Sequence, residues 1–154
     1  MVRLISLRIK WKISVSCTTQ LTRENQKMHA AEFKTLREAL GLSISTLVKV
    51  IDVDERTIRK WEAGKKKLPQ GVVDSLIEID ALVNKKVTQA YQGFKQSAQT
   101  TVVLYRFIEE EDLHAHHPEF ESLPMMTFGV VLQRLKLKLE SEHVEVTIEY
   151  YQDE

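Results

Sequence analysis

Four side chains between residues 55 and 60 have the chemistry to read bases. Glu55, Arg56, Arg59 and Lys60 are interleaved with Ile58 and Trp61, and Val53 stands just before them. On a helix starting after Asp54, the apolar three point inward and fix its angle, and the charged four point outward. Arg and Lys pair with guanine O6 and N7, and Glu accepts from cytosine N4. Lys65, Lys66 and Lys67 follow directly. Each phosphate that such a lysine neutralises steepens the salt dependence of binding by about 0.9 in log–log slope. The plain alternatives are a solvated face of alternating charge and a solvated loop. The regular spacing around these residues favours binding.

A second cluster is His114-Ala115-His116-His117, with Glu109–Asp112 and Glu119 nearby. Clustered imidazoles and carboxylates can ligate zinc or nickel. No HExxH and no paired cysteine completes a recognised site, and on a helix His116 points away from His114 and His117. The expectation is an exposed helix end, with no metal and no cofactor. The acids of 109–112 have no distinct catalytic partner, and no GxGxxG or GxxxxGK[ST] occurs. No catalytic residue is expected, and the chain is not read as an enzyme.

The elements that must position residues 55–60 are legible from caps and periodicity. Phe33, Leu36, Ala39 and Leu40 share a helical face in residues 29–40, and Gly41 stops that helix. Ser43 caps a helix over 44–51, with Leu47, Val48 and Ile51 on one side. Asp54 caps the next, Glu55–Ala63, and Gly64 ends it. Three short helices thus fit in about 35 residues, joined by tight turns. Two short helices across such a turn form a helix-turn-helix, whose second helix enters the major groove.

From Val72 the pattern lengthens. Val72, Leu76, Ile79, Val83, Val87, Ala90 and Phe94 form a heptad-like seam. It is read either as a core helix or as a contact between two copies. The second is favoured, because a small three-helix module cannot cover so long a helix, and Leu76, Ile79, Val83, Val87 and Phe94 are the expected dimerisation residues. Beyond a polar linker at 97–101, Val102–Phe107 reads as a strand. Glu109–His117 reads as an acidic helix ended by Pro118, and Met125–Glu140 as an apolar-faced helix. Val144, Val146, Ile148 and Tyr150 alternate with polar residues in a last strand. The fold class is therefore mainly α with a small β component: a helix-turn-helix bundle, a long connecting helix and a C-terminal α+β dimerisation part. The expected divisions are 1–27, 28–71 and 72–154.

Residues 1–27 remain open between two readings. Ile5, Leu7, Ile9, Trp11, Ile13, Val15 and Cys17 alternate with Arg8, Lys10, Lys12, Ser14 and Ser16, as in a strand with one buried face. Its lysines and arginines would lie opposite the glutamates of the last strand. The other reading is a start-site artefact, since the next module opens neatly at Met28. The charged positions interrupt any signal-peptide core.

Composition narrows the classes further. Of 154 residues 43% are hydrophobic and 29% charged, which fits a globular chain. No apolar run approaches the ~20 residues that span a bilayer. The single cysteine, Cys17, excludes an internal disulfide framework. The net charge of zero hides an asymmetry: residues 1–27 carry +5, 28–71 carry +3, 72–108 carry +1 and 109–154 carry −9. The first half can face phosphate, and the last third would be repelled by it.

The stretch RxxxGLS followed by LVxxIDVDxxTIRKWEAGKKKLP resembles the Cro/cI-type (XRE) helix-turn-helix of phage and bacterial repressors. The matching positions are Arg37, Gly41, Leu42, Ser43, Leu47, Val48, Val53, Thr57, Ile58, Trp61, Glu62, Gly64 and Pro69. The resemblance implies a lambda-repressor-like bundle. It places base contacts on Glu55, Arg56, Arg59 and Lys60, and phosphate contacts on Ser43, Thr57, Lys65, Lys66 and Lys67. One position departs: Ile44 stands where the family often has a backbone-touching Gln, so that contact is expected to be absent. The order of a long helix, a strand with LYRF, an acidic segment ending in Pro and an apolar helix is similar to YdiL-like proteins and anti-CRISPR-associated autoregulators. This narrower resemblance implies a dimeric repressor with a C-terminal dimerisation domain, an Arg at position 56 and no metal ligands at 114–117.

The expected function is therefore a homodimeric, sequence-specific DNA-binding repressor of a bacterial or phage cytoplasm. Its expected partners are palindromic double-stranded DNA and a second copy of itself, with no membrane. The alternative is an antitoxin-like module whose acidic C-terminal part binds a basic protein.

Overall fold

The computed structural model describes residues 27–97 and 99–152. Among them, six α-helices, one 3-10 turn and two strands follow in the order α1 (Ala30–Ala39), α2 (Ile44–Ile51), α3 (Glu55–Glu62), α4 (Gln70–Lys95), β1 (Thr101–Arg106), α5 (Glu110–His116), α6 (Met125–Glu140) and β2 (Glu145–Tyr150), with the 3-10 turn at Pro118–Phe120. The fold is mainly helical with a small parallel sheet. The strand expected within residues 5–17 lies outside the described residues.

Local chemistry sets the helix ends. Ser43 accepts from the Thr46 N–H at 3.0 Å, and Asp54 accepts from the Thr57 N–H at 2.9 Å. Each satisfies one amide that has no partner within its helix. Helices α1 and α3 close with the same paired backbone bonds. Gly41 donates to the Glu38 carbonyl and Leu42 to that of Arg37; Gly64 donates to Trp61 and Lys65 to Lys60. This closure needs a left-handed residue after the helix, and the glycines supply it at φ 70° and 68°.

Helix α3 packs on both α1 and α2, and α1 packs on α4. Phe33 and Trp61 meet edge to face at 6.3 Å between ring centres. Residues 30–62 thus form a compact head, and α4 leads away from it. Helix α4 begins at Gln70 after Pro69, slightly before the seam predicted from Val72.

The seam has a different role from the one expected. Leu76, Ile79, Val83, Val87 and Phe94 are all buried within the chain itself. Helix α6 lies along α4 and contributes Phe128, Val131, Leu132, Leu135 and Leu139 to the same core. The expectation of a contact between copies assumed that only the head was available to cover α4. The later apolar helix supplies the cover instead. Arg134 ties the two helices at their rim, donating to Asp80 at 2.9 Å and to Asn84 at 2.8 Å.

Strands β1 and β2 pair in parallel, with Val102 opposite Val146 and Leu104 opposite Ile148. Parallel strands require a crossover, provided here by α5, the 3-10 turn and α6. Helix α6 packs on both strands, and Lys136 donates to the Val146 carbonyl at 2.6 Å. Side chains alternate along a strand: Val102 and Val146 are buried, whereas Thr101, Tyr105, Glu145, Thr147 and Glu149 on the opposite face are exposed.

An aromatic cluster holds the end of β1 against α5 and α6. His117 lies 4.9 Å from Phe128, 5.9 Å from Phe107 and 6.5 Å from Phe120, ring centre to ring centre. Burial among these rings lowers the His117 pKa below 6.5, although Glu119 opposes the shift. Glu119 approaches His117 Nδ1 to 3.5 Å and also takes the Lys86 ammonium from α4. His116 and Lys86 both add to the lowering. An imidazole that binds its proton less tightly when folded favours the folded state at high pH. Its contribution is complete above pH 6.5 and is lost as the pH falls from there through the lowered folded value. The variant His117→Phe is expected to remove this component, flattening the decline of urea-unfolding stability between about pH 7 and 5. An unchanged slope in that variant would show that other groups cause it.

Candidate nucleic-acid interface

The outer face of α3 is built by what lies beneath it. Ile58 is fully buried and Trp61 nearly so, and Val53 is half-buried at the entry to the helix. These anchors leave Glu55, Arg56, Arg59 and Lys60 exposed together on one surface. Arg59 and Glu55 sit one helical turn apart with 3.4 Å between Nη2 and Oε2. Both side chains stand in solvent, so the pair holds them loosely, at about 0.3–0.5 kcal/mol.

The residues expected at phosphates lie before, within and after α3 along the chain. Ser43 is exposed at the start of α2, and its hydroxyl is engaged by the Thr46 N–H. Thr57 is half-buried in the first turn of α3. Bonds from the Thr57 hydroxyl and N–H hold the Asp54 carboxyl below its ordinary pKa, so the cap is charged at neutral pH. Lys65, Lys66 and Lys67 are exposed in the turn that leaves α3. Ile44, the departure from the pattern, is half-buried and packs against the core. Its apolar side chain helps seat α2 instead of offering a polar group outward.

One residue that sequence reasoning assigned no role holds this arrangement together. Arg37 is 6% exposed, although it is charged. Its Nε donates to Glu62 Oε1 at 2.5 Å, its Nη1 to the Leu42 carbonyl at 2.5 Å, and its Nη2 to Glu38 at 3.2 Å. It therefore connects the end of α1, the turn into α2 and the last residue of α3. A signal was available: Arg37 lies four residues after Phe33 and three before Leu40, on the apolar stripe of α1. A charge in that stripe needs a buried partner, and Glu62, four residues beyond buried Ile58, is the matching acid.

The histidines form no comparable site. His116 is exposed, with Nδ1 2.8 Å from the Asp112 carbonyl and its ring beside Phe107 and Tyr151. His117 sits in the aromatic cluster, and His114 is half-buried in α5. Among the described residues, no group of three or more His, Cys, Asp or Glu side chains converges to hold a metal ion. Likewise no helix among them is long and apolar enough to cross a membrane.

A sequence model of the Aca2/YdiL-like proteins matches residues 28–142, from just before α1 to just past α6. The chain belongs to the Aca2/YdiL-like family. That is a family of anti-CRISPR-associated regulators, and a regulator-type role follows for this member. Among curated proteins, none matches the sequence. The Aca2/YdiL-like match takes in the whole head, the long helix α4 and the crossover to α6, so the exposed basic surface on α3 lies inside the family's span.

Arg37→Ala is expected to destabilise this Aca2/YdiL-like chain by about 3–5 kcal/mol, because it strands the Glu62 carboxylate in a buried site. Urea unfolding followed by circular dichroism measures this. A loss under about 1 kcal/mol would place the pair among weak surface contacts.

Proposed function

We propose that this protein is a homodimeric transcriptional regulator, acting as a repressor, that reads an inverted repeat through α3 in the major groove. In this reading the head is a lambda-repressor-like helix-turn-helix of the Cro/cI (XRE) type. The observation that carries it is the outer face of α3: four exposed charged side chains on a helix locked from beneath by Ile58 and Trp61. Glu55, Arg56, Arg59 and Lys60 meet base edges. Ser43, Thr57 and Lys65–Lys67 meet the backbone on either side. Phosphate contacts set the register and base contacts set the sequence.

A two-fold dimer matches a palindrome, with half-sites about 34–36 Å apart. Because the α4 seam is occupied by α6, the second copy needs another surface. The sheet supports one. It contains only two strands among the described residues, so each strand has an edge with no partner strand there. Tyr105, Ile148 and Tyr150 are large apolar side chains exposed on it. Open edges and exposed apolar residues of this kind are what pairing between chains covers.

A genome-wide selection of bound DNA with the full chain tests the whole reading. An enriched inverted repeat with half-sites about one turn apart is the expected result. No enrichment by folded protein would overturn it and favour a protein partner for the acidic part at 109–154. Arg56→Ala is expected to cost about 1–3 kcal/mol on the operator and to relax specificity at one base pair per half-site. Equal losses on operator and random DNA would remove Arg56 from the base contacts. Lys66→Ala is expected to weaken binding on all sequences alike and to flatten the salt slope by about 1 per lysine; titrations at several salt concentrations measure it.

A further inference from the structure

The head is joined to the rest of the chain twice. The first is α4, which is the covalent link and on which α1 also packs. The second link is a contact between the α1–α2 turn and the first turn of α6. Thr127 is fully buried, and its hydroxyl donates to the Leu40 carbonyl at 2.9 Å across 87 residues of sequence. Beside it, the backbones of Gly41 and Met126 are in near contact. A Cβ on Gly41 would stand 3.0 Å from the Met126 carbonyl oxygen and 3.1 Å from its carbon. Leu40 and Phe128 flank this contact as buried core residues.

A head held only by α4 and the packing of α1 on its start can still swing about that junction. A second, buried attachment removes that freedom. The attachment point is also well placed: Leu40 and Gly41 end α1 and lead into α2, on which α3 packs. A shift of this turn would therefore tilt the outer face of α3. We propose that Thr127 is a positioning residue: its bond to Leu40, with the close approach at Gly41, fixes the angle of the head against α6 and so sets which half-site spacing the protein accepts. The spacing part rests on the DNA-binding reading above, and the fixed angle does not. One base pair of extra spacing rotates a half-site by about a tenth of a turn. A head fixed against the body cannot follow that rotation without breaking contacts, whereas a swinging head can.

The experiment compares the full-length protein with Thr127→Val and Thr127→Ser. Residual dipolar couplings of the amides in α3 and α6 are measured without DNA. The unaltered protein and Thr127→Ser, which keeps a hydroxyl, are expected to fit one alignment tensor across both helices. Thr127→Val is expected to need two. A single tensor for folded Thr127→Val would overturn the proposal. Binding to inverted repeats of the selected spacing, and of one base pair more or less, follows with the same three proteins. The preference for the selected spacing is expected to fall about fivefold or more in Thr127→Val and to recover in Thr127→Ser, while affinity for a single half-site stays unchanged. Undiminished preference in Thr127→Val would overturn the assignment of spacing to Thr127. Should the couplings behave as expected while no protein binds any repeat, the fixed angle stands and the DNA-binding reading fails.

Discussion

The Arg37 guanidinium is the point on which the head depends. It is a buried cation, and its attachments belong to three different elements. Its own backbone takes part as well: the Arg37 carbonyl accepts the Leu42 N–H while its side chain donates to the Leu42 carbonyl. The turn after α1 is thus bracketed from both sides by one residue. The ion pair with Glu62 extends that hold to the far end of α3. Burying an ion pair is not by itself a route to stability, since desolvation offsets much of the attraction. What it provides is direction. An apolar contact at this place could slide, but a donor fork satisfied on three acceptors allows one arrangement.

That arrangement determines what α3 can offer outward. With Ile58 and Trp61 seated and Glu62 held from behind, the free face of the helix is left with Glu55, Arg56, Arg59 and Lys60. The polar turns that flank it need not be rigid themselves. The charge distribution agrees with this division of labour: positive charge lies around the head, and most of the acidic excess lies beyond residue 108, in the part that carries α5, α6 and β2.

Much of this was legible in the sequence, for physical reasons that can be named. Ser43, Asp54, Gly41 and Gly64 mark helix ends because each supplies a local hydrogen bond or a left-handed backbone that other residues supply poorly. The four outward side chains of α3 followed from periodicity alone. The strand near 144–150 followed from alternation, and residues 102–107 also read as a strand. Tertiary pairing was harder. The seam from Leu76 to Phe94 shows that α4 has an apolar face but not what covers it, and α6 was available fifty residues later without any local sign of the match. The parallel pairing of β1 with β2 was equally hidden, because register across a crossover leaves no mark in either strand. The Thr127 hydroxyl was missed for a related reason. A single threonine in an apolar helix looks incidental until its acceptor is known.

That last contact also bears on how the protein is made. Leu40 leaves the ribosome long before its partner at position 127 has been added to the chain. Nascent domains generally take shape from the N-terminus onward. The residues that would meet DNA are therefore synthesised well ahead of the residue that aims them. During translation, a half-made molecule has the surface of α3 without its direction.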